Sequence, residues 1–481
     1  MSARVSSAPR ATLACLAGLT ALGASAWATE AEAAGLYFSD RGVRPMGRAG
    51  AYVAGADDLH AIWYNPAGLA DAGTSALVDF AWLRFSVDHQ RELLILDADG
   101  TYRSVKSPTV NGNSQFIPLP TIAGSYAFGA HKEWTVAAGL IAPYVALNSY
   151  AETVGGQPSP ARYTLGSFDG SVLAVPGAWV AYKPFEELRL GLGAMALVGV
   201  FQSQVTFSAS PQDRLIGAPE QPEYDAAAQL KVGPIFAPTM NAGATFVPSK
   251  YLRIGVSGQL PTVIDSTARI TVRLPTSAVF DTAQIRGDEA NVRFVLPAIV
   301  RLGVEARPTP NLRVEAAYVR ELWSAHDAIT ATPRGISLDG ITGLPPKVAM
   351  PPITIPRGFA DSSSFRLGGE GRVTVQDRAL DLRAGVTYET SGVPAEYLSL
   401  SSLDFAKVTA SLGAGLHVSP RLRLDLVYAH IFASGEAVDP RTAKLPRVNP
   451  IKGNAPFEAV NGGTYSASAD LFGLGAAYTF R

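Results

Sequence analysis

Four cations stand where this chain could hold an anion. Arg293, Arg301, Arg366 and Lys407 each fall on the polar side of a stretch whose alternate residues are apolar. A guanidinium or ammonium in such a setting is the group that would neutralise a carboxylate, because a buried charge without a partner is costly. Glu305, Glu315, Glu370 and Asp425 fall on the same side, so these cations could equally pair with acids of the chain itself. Other reactive chemistry is sparse. The six histidines, His60, His89, His131, His326, His417 and His430, show no metal-ligand spacing. There is no phosphate-cradling P-loop and no G-x-S-x-G nucleophile turn. The Gly-Leu-Gly and Gly-Ala-Gly fragments lie inside alternating stretches and read as strand glycines. No catalytic constellation, metal or cofactor is expected.

The elements that carry these cations are strands of period two, in which successive side chains take opposite faces. From Val292 to Arg307 the even positions (Val292, Phe294, Leu296, Ala298, Val300, Leu302, Val304, Ala306) are all apolar, and the charges fall on odd ones. Leu380, Leu382, Ala384, Val386 and Tyr388 likewise oppose Asp381, Arg383 and Glu389, and Leu422, Leu424, Leu426 and Tyr428 oppose Arg423 and Asp425. Ala406, Val408, Ala410, Leu412, Ala414 and Leu416 oppose Lys407, Thr409, Ser411 and His417. Strands of this length exceed the soluble norm of about 5–6 residues and match the ~9–11 tilted residues that cross a bilayer.

Composition agrees. Of 481 residues, 47% are hydrophobic and only 17% charged, against about 25% charged in soluble domains. Yet no run of about 18 apolar residues follows the N-terminal 33, which excludes spanning helices. A formal net charge of -1 argues against nucleic acid as a partner. What remains is a large soluble β protein or a membrane barrel whose apolar face meets lipid.

The turns favour the barrel. Short polar junctions precede Leu188-Arg189, Leu252-Arg253, Leu312-Arg313, Leu382-Arg383 and Leu422-Arg423, and Ala130 to Glu133 forms a sixth before Trp134. Between them lie long connections at 91–118, 146–168, 206–228, 274–291, 325–363, 392–403 and 435–465. Six short turns and seven long loops make an all-β, 14-stranded antiparallel transmembrane β-barrel, an even count with short turns on the periplasmic side. Closure leaves no unpaired edge in lipid. The last strand places Phe472, Leu474, Ala476, Tyr478 and Phe480 on one face, followed by a single Arg481.

The N-terminus addresses the chain for export. Arg4 and Arg10 precede an apolar stretch from Ala11 to Ala26, and small-residue cleavage patterns end at Ala28 and Ala33. We expect 1–33 to be a signal peptide, cut after Ala33 or after Ala28. The only cysteine, Cys15, lies inside it in a poor lipoprotein context, so the mature chain has no thiol. Residues 34–74 do not alternate and are rich in small residues. We expect them to form an N-terminal hatch that plugs the lumen, with 75–481 as the barrel.

Within that segment, Gly47-Arg48-Ala49-Gly50, Ala56-Asp57-Asp58 and Trp63-Tyr64-Asn65-Pro66-Ala67-Gly68-Leu69 resemble the hatch of the FadL/toluene-porin family of outer-membrane hydrophobic-compound transporters. Gly139 to Tyr144 resembles the family's third-strand segment, and Arg162-Tyr163 and Val180 to Pro184 occupy the fourth-strand region. The resemblance is strongest over about 35–200. It implies capture of long-chain fatty acids or aromatic hydrocarbons by extracellular loops, then sideways exit past the hatch and a kinked third strand. Asn65, Pro66, Ala67 and Gly68 would be the hatch motif, and Pro143 and Tyr144 would sit at the kink. Proline there cannot donate a ladder hydrogen bond, which opens pairing locally; a plain bulge is the alternative. The implied partners are a hydrophobic ligand, outer-membrane lipid and the barrel-assembly machinery.

Two other readings are compatible with a barrel. One is a diffusion porin for polar solutes, which a plugged lumen would contradict. The other is an adhesin or binding protein working through its loops, for instance 325–363 with Pro-Pro pairs at 345–346 and 351–352.

Overall fold

In the computed structural model the described residues are 40–114, 119–142, 148–164, 170–210, 220–451 and 458–480. The expected signal peptide, Pro143, Tyr144 and Arg481 lie outside them. The chain forms a closed antiparallel barrel of 14 strands. They are β1 Ser75–Leu96, β2 Leu119–Phe128, β3 Trp134–Ile141, β4 Val172–Phe185, β5 Leu188–Ser208, β6 Asp225–Ser249 and β7 Leu252–Gln259, continued by Thr262–Arg273. The rest are β8 Glu289–Leu296, continued by Ile299–Thr309, then β9 Leu312–Glu321, β10 Ser362–Val375, β11 Arg378–Glu389, β12 Lys407–His417, β13 Leu422–Ala433 and β14 Gly463–Thr479. Each pairs with its sequence neighbour, and β1 closes on β14 in one unbroken register from Ser75↔Thr479 to Arg91↔Gly463.

Five of the six short turns fall directly before the expected starts, while the one expected before Leu382 lies earlier, at Gln376-Asp377, so that its strand begins at Arg378; the seven long connections share the opposite rim. Alternation explains why this wall suits lipid. Val78, Phe80, Val136, Leu192, Val256, Leu302, Leu412, Leu426 and Leu474 all point outward and are exposed. Their neighbours Asp79, Arg253, Arg301, Glu305, Glu315, Arg383 and Asp425 point inward and are buried. Among the described residues no helix is long and apolar enough to cross a membrane.

The reading of Val292 to Arg307 as one strand with one apolar face needs correction. Pro297 and Ala298 interrupt it, and the inward positions change from even to odd across the break: Ala290 and Val292 are buried, as are Ile299, Arg301 and Glu305. Arg293 therefore stands on the outside, its side chain 63% exposed, paired with Asp265 of β7 at 2.9 Å. It is not a lumen cation. The cause is a change of solvent along the wall. On the loop side of the break the outer face carries Asp265, Arg269, Glu289 and Arg293, and the apolar residues turn inward. There they pack with loop residues Phe280, Ile336, Leu338 and Ile341.

Candidate functional site

Residues 40–74 enter the barrel ahead of β1, and nearly all of those from Asp40 to Leu69 are buried. Their regular structure amounts to two one-turn helices, Val43–Met46 and Ala61–Tyr64, and a 3₁₀ helix, Pro66–Asp71. So short a segment of small residues has little core of its own; it is held by what the wall offers it.

The wall offers charge. Arg48, fully buried, lies 3.0 Å from Glu305 and 3.1 Å from Glu315. Glu315 also accepts backbone hydrogen bonds from Val53 (2.6 Å), Ala54 (2.9 Å) and Gly55 (2.9 Å), so one carboxylate on β9 gathers a whole turn of the segment. Arg44 reaches Asp57 (2.8 Å), Asp58 (2.7 Å) and Glu370 of β10 (3.0 Å). Arg313 and Arg423 bind Asp57 and Asp58 from the wall at 2.7 and 3.0 Å. Charge-assisted bonds of this kind are about twice as strong as neutral ones, and each partner compensates the desolvation of the other. His60 sits between Asp58 (Nδ1, 2.8 Å) and Asp79 of β1 (Nε2, 2.6 Å). Burial opposes its charge, but the two carboxylates prevail and raise it to about 9, so both ring nitrogens donate at neutral pH.

The Asn65-Pro66-Ala67-Gly68 motif lies against β5 and β6. Asn65 Nδ2 donates to Val53 O (2.9 Å) and Thr245 Oγ1 (3.0 Å), and its Oδ1 accepts from Ala67 N (3.2 Å), capping the 3₁₀ helix. Pro66 and Ala67 lie so close to Gly191 of β5 that a Cβ there would sit 2.2 Å from the Pro66 carbonyl carbon. At Gly243 of β6 a Cβ would meet Asn65 Oδ1 at 2.1 Å. The wall is glycine at these positions because the segment needs the space. Toward β3, Ile62 makes the approach, its Cδ1 3.3 Å from a Cβ at Gly139.

Of the four cations singled out in the sequence, three point inward. Arg366 pairs with Asp40 of the N-terminal segment, and Lys407 with Glu389 and, at 2.9 Å, Asp404. Arg301 lies over the Trp63 ring, 5.4 Å from its centroid. Sequence reasoning passed over Arg357, in the long connection between β9 and β10, immediately after the short strand Ile353–Pro356. It is 5% exposed, and its Nε and Nη1 meet no hydrogen-bond partner among the described residues. Burial alone lowers it to about 10. Nearby His326 is lowered to about 4 by burial and, secondarily, by the Arg357 charge; its neutral ring donates Nδ1–H to Val295 O at 2.7 Å. The Phe359 ring lies tilted 5.0 Å from His326 and edge-on 5.9 Å from Trp323, within an apolar cluster that includes Leu398 and Phe405. The only sequence signal was a lone cation in the run Ile353-Thr354-Ile355-Pro356-Arg357-Gly358-Phe359.

A closed barrel with an apolar outer wall, holding a buried and ion-paired N-terminal segment against its inner face, is the architecture of a transmembrane β-barrel protein. The chain belongs to the family described as outer membrane protein transport protein (OMPP1/FadL/TodX), whose model matches residues 24–480. No curated protein matches it. Among solved structures it is similar to a Pseudomonas aeruginosa FadL homologue, at 16% identity and TM-score 0.70 over 93% of this chain and 100% of the other. The Ralstonia pickettii toluene transporter TbuX aligns at 15% identity and TM-score 0.56, covering 92% of this chain and 99% of its own. The P. putida toluene transporter TodX also aligns at 15% and 0.56, covering 90% and 98%. The chain is thus an outer-membrane β-barrel of a family that transports hydrophobic compounds.

Proposed function

We propose that this protein takes up long-chain fatty acids or aromatic hydrocarbons, captured among its extracellular loops and released sideways past the hatch and the third strand. The observation that carries the reading is the filled lumen: a barrel stoppered by a segment ion-paired to its wall suits an apolar cargo better than a stream of hydrated solutes. Lateral release has a thermodynamic reason. Each CH₂ kept out of water is worth about 0.8 kcal/mol, so a long acyl chain gains little by entering the periplasm and much by staying in an apolar phase. In this reading Asn65, Pro66, Ala67 and Gly68 form the moving part, and Pro143 and Tyr144 mark the exit.

Of the two ligand classes, the fatty acid is favoured by Arg357, a buried cation two residues before Phe359 of the apolar cluster, whose Nε and Nη1 meet no acceptor among the described residues. A carboxylate would supply one, while a hydrocarbon would leave the cation as it is. Uptake of labelled oleate and of labelled toluene, measured in a Gram-negative host stripped of its own transporters, tests both levels. Accumulation of neither compound defeats the transport reading; toluene without oleate defeats the assignment to fatty acids.

A further inference from the structure

The wall is not paired all the way round. Between β6 and β7 the ladder runs up to Asn241↔Gln259, stops, and resumes at Val232↔Ala268. Across residues 233–240 and 260–267 the described hydrogen bonds are few: Leu260 N to Met240 O at 2.9 Å, Thr239 Oγ1 to Leu260 O at 2.9 Å, and Ser266 Oγ to Pro234 O at 3.3 Å. The reason lies in phase. On β6 the inward set is odd at Ile235, Ala237, Thr239 and Asn241, and becomes even at Val232, so the change falls at 233–234. On β7 it changes from odd at Gln259 to even at Thr262, so the change falls at 260–261, the opposite end of the interval. In between, a residue pointing in on one strand faces one pointing out on the other, as buried Ile235 faces exposed Asp265. A pleated ladder cannot form across such a mismatch. Pro234, Pro238 and Pro261 remove three donors as well. Unpaired backbone in hydrocarbon costs several kcal/mol per group and persists only where it lines a cavity or is covered by protein.

Both mouths of this gap carry apolar residues, with Asp265 the one charge, at the loop-side end of the outer mouth. Outside, Phe236 is 75% exposed, with Met240, Leu260 and Val263 around it. Just toward the loops the outer face turns polar at Gln229, Lys231, Thr267 and Arg269, which sets the gap at the outer-leaflet boundary. Inside stand Ile235, Ile264 and Val232, part of the apolar cluster that fills the loop side of the lumen. The periplasmic edge is clamped to the N-terminal segment: Asn241 Nδ2 donates to Ile62 O at 2.8 Å and Ser257 Oγ to Tyr64 O at 2.5 Å.

We infer that the unpaired stretch between β6 and β7 is a lateral doorway, separate from the third strand, through which an apolar molecule passes between the outer leaflet and the lumen. The inference rests on the transport reading above and adds a second, named path to it. Because the mature chain has no cysteine, Phe236→Cys with Val263→Cys places the only thiols on the two jambs. A reducible bismaleimide bridging them is expected to cut uptake at least fivefold, with recovery on reduction. The same bridge between Leu302→Cys and Tyr318→Cys, a fully paired edge of the wall, is expected to change nothing. Uptake that survives the β6–β7 bridge, in a host where the wild type transports, overturns the doorway and leaves the transport reading standing. Absence of wild-type uptake overturns the transport reading instead, and a diazirine-bearing alkane in proteoliposomes then decides the doorway by itself. Photolabel concentrated at 233–240 and 260–267 supports it, and label spread evenly over the lipid-facing belt overturns it.

Discussion

Arg48 and Glu315 meet 3.1 Å apart with neither side chain exposed at all, one on the N-terminal segment and the other in the middle of β9. Their separation of 267 residues makes this contact a measure of how the lumen is filled. Removing one partner of a buried pair strands the other charge and costs about 3–5 kcal/mol. Arg48→Met is therefore expected to loosen the segment while the barrel stays folded. Limited proteolysis in detergent checks this: faster cleavage within 40–72 with the wall intact is the expected outcome.

The docking should also depend on pH through His60. Its ordinary value near 6.5 is raised to about 9 between Asp58 and Asp79. A raised value means that the bound form holds the proton more tightly. The stabilisation is complete below about pH 6.5 and is lost as pH rises through 9. Hydrogen exchange of the amides around 58–64 should accelerate between about pH 7.5 and 9.5 after correction for the intrinsic rate, and His60→Gln should abolish that pH-dependent part.

On the outer wall, Leu412 is 64% exposed between inward-facing Ser411 and Gly413. In lipid, Leu412→Arg should cost about 2–4 kcal/mol if the residue lies near the bilayer midplane, read from urea titration of folding into vesicles. The same charge introduced at Thr267, on the polar part of the outer face, should cost less than about 1 kcal/mol.

Arg357→Met separates the two ligand classes. A hydrogen bond to a charged group contributes about 1.5–3 kcal/mol, so affinity for a fatty acid should fall roughly tenfold to a hundredfold while affinity for toluene is unchanged. Isothermal titration in detergent with each ligand provides the comparison.

Much of this was legible in the sequence, for a physical reason: a barrel in lipid imposes period two. Leu424, Leu426 and Tyr428 face out and Asp425 faces in, as the alternation requires. The same rule misled at Arg293, because alternation carries no sign. A strand that leaves the membrane keeps its period while exchanging its faces, and only the break at Pro297-Ala298 marks the exchange. Which acid each inward cation meets was invisible: Arg366 and Asp40 are 326 residues apart. Arg357 was missed because it lies in no periodic element at all.

Whether the interior is stoppered decides everything else about transport, and the current carried across a planar bilayer by the protein purified from outer membranes tests it most directly. A filled lumen gives little or no steady conductance at neutral pH. A large, stable open-channel current would mean that the N-terminal segment does not close the barrel, and would contradict a stoppered transporter outright.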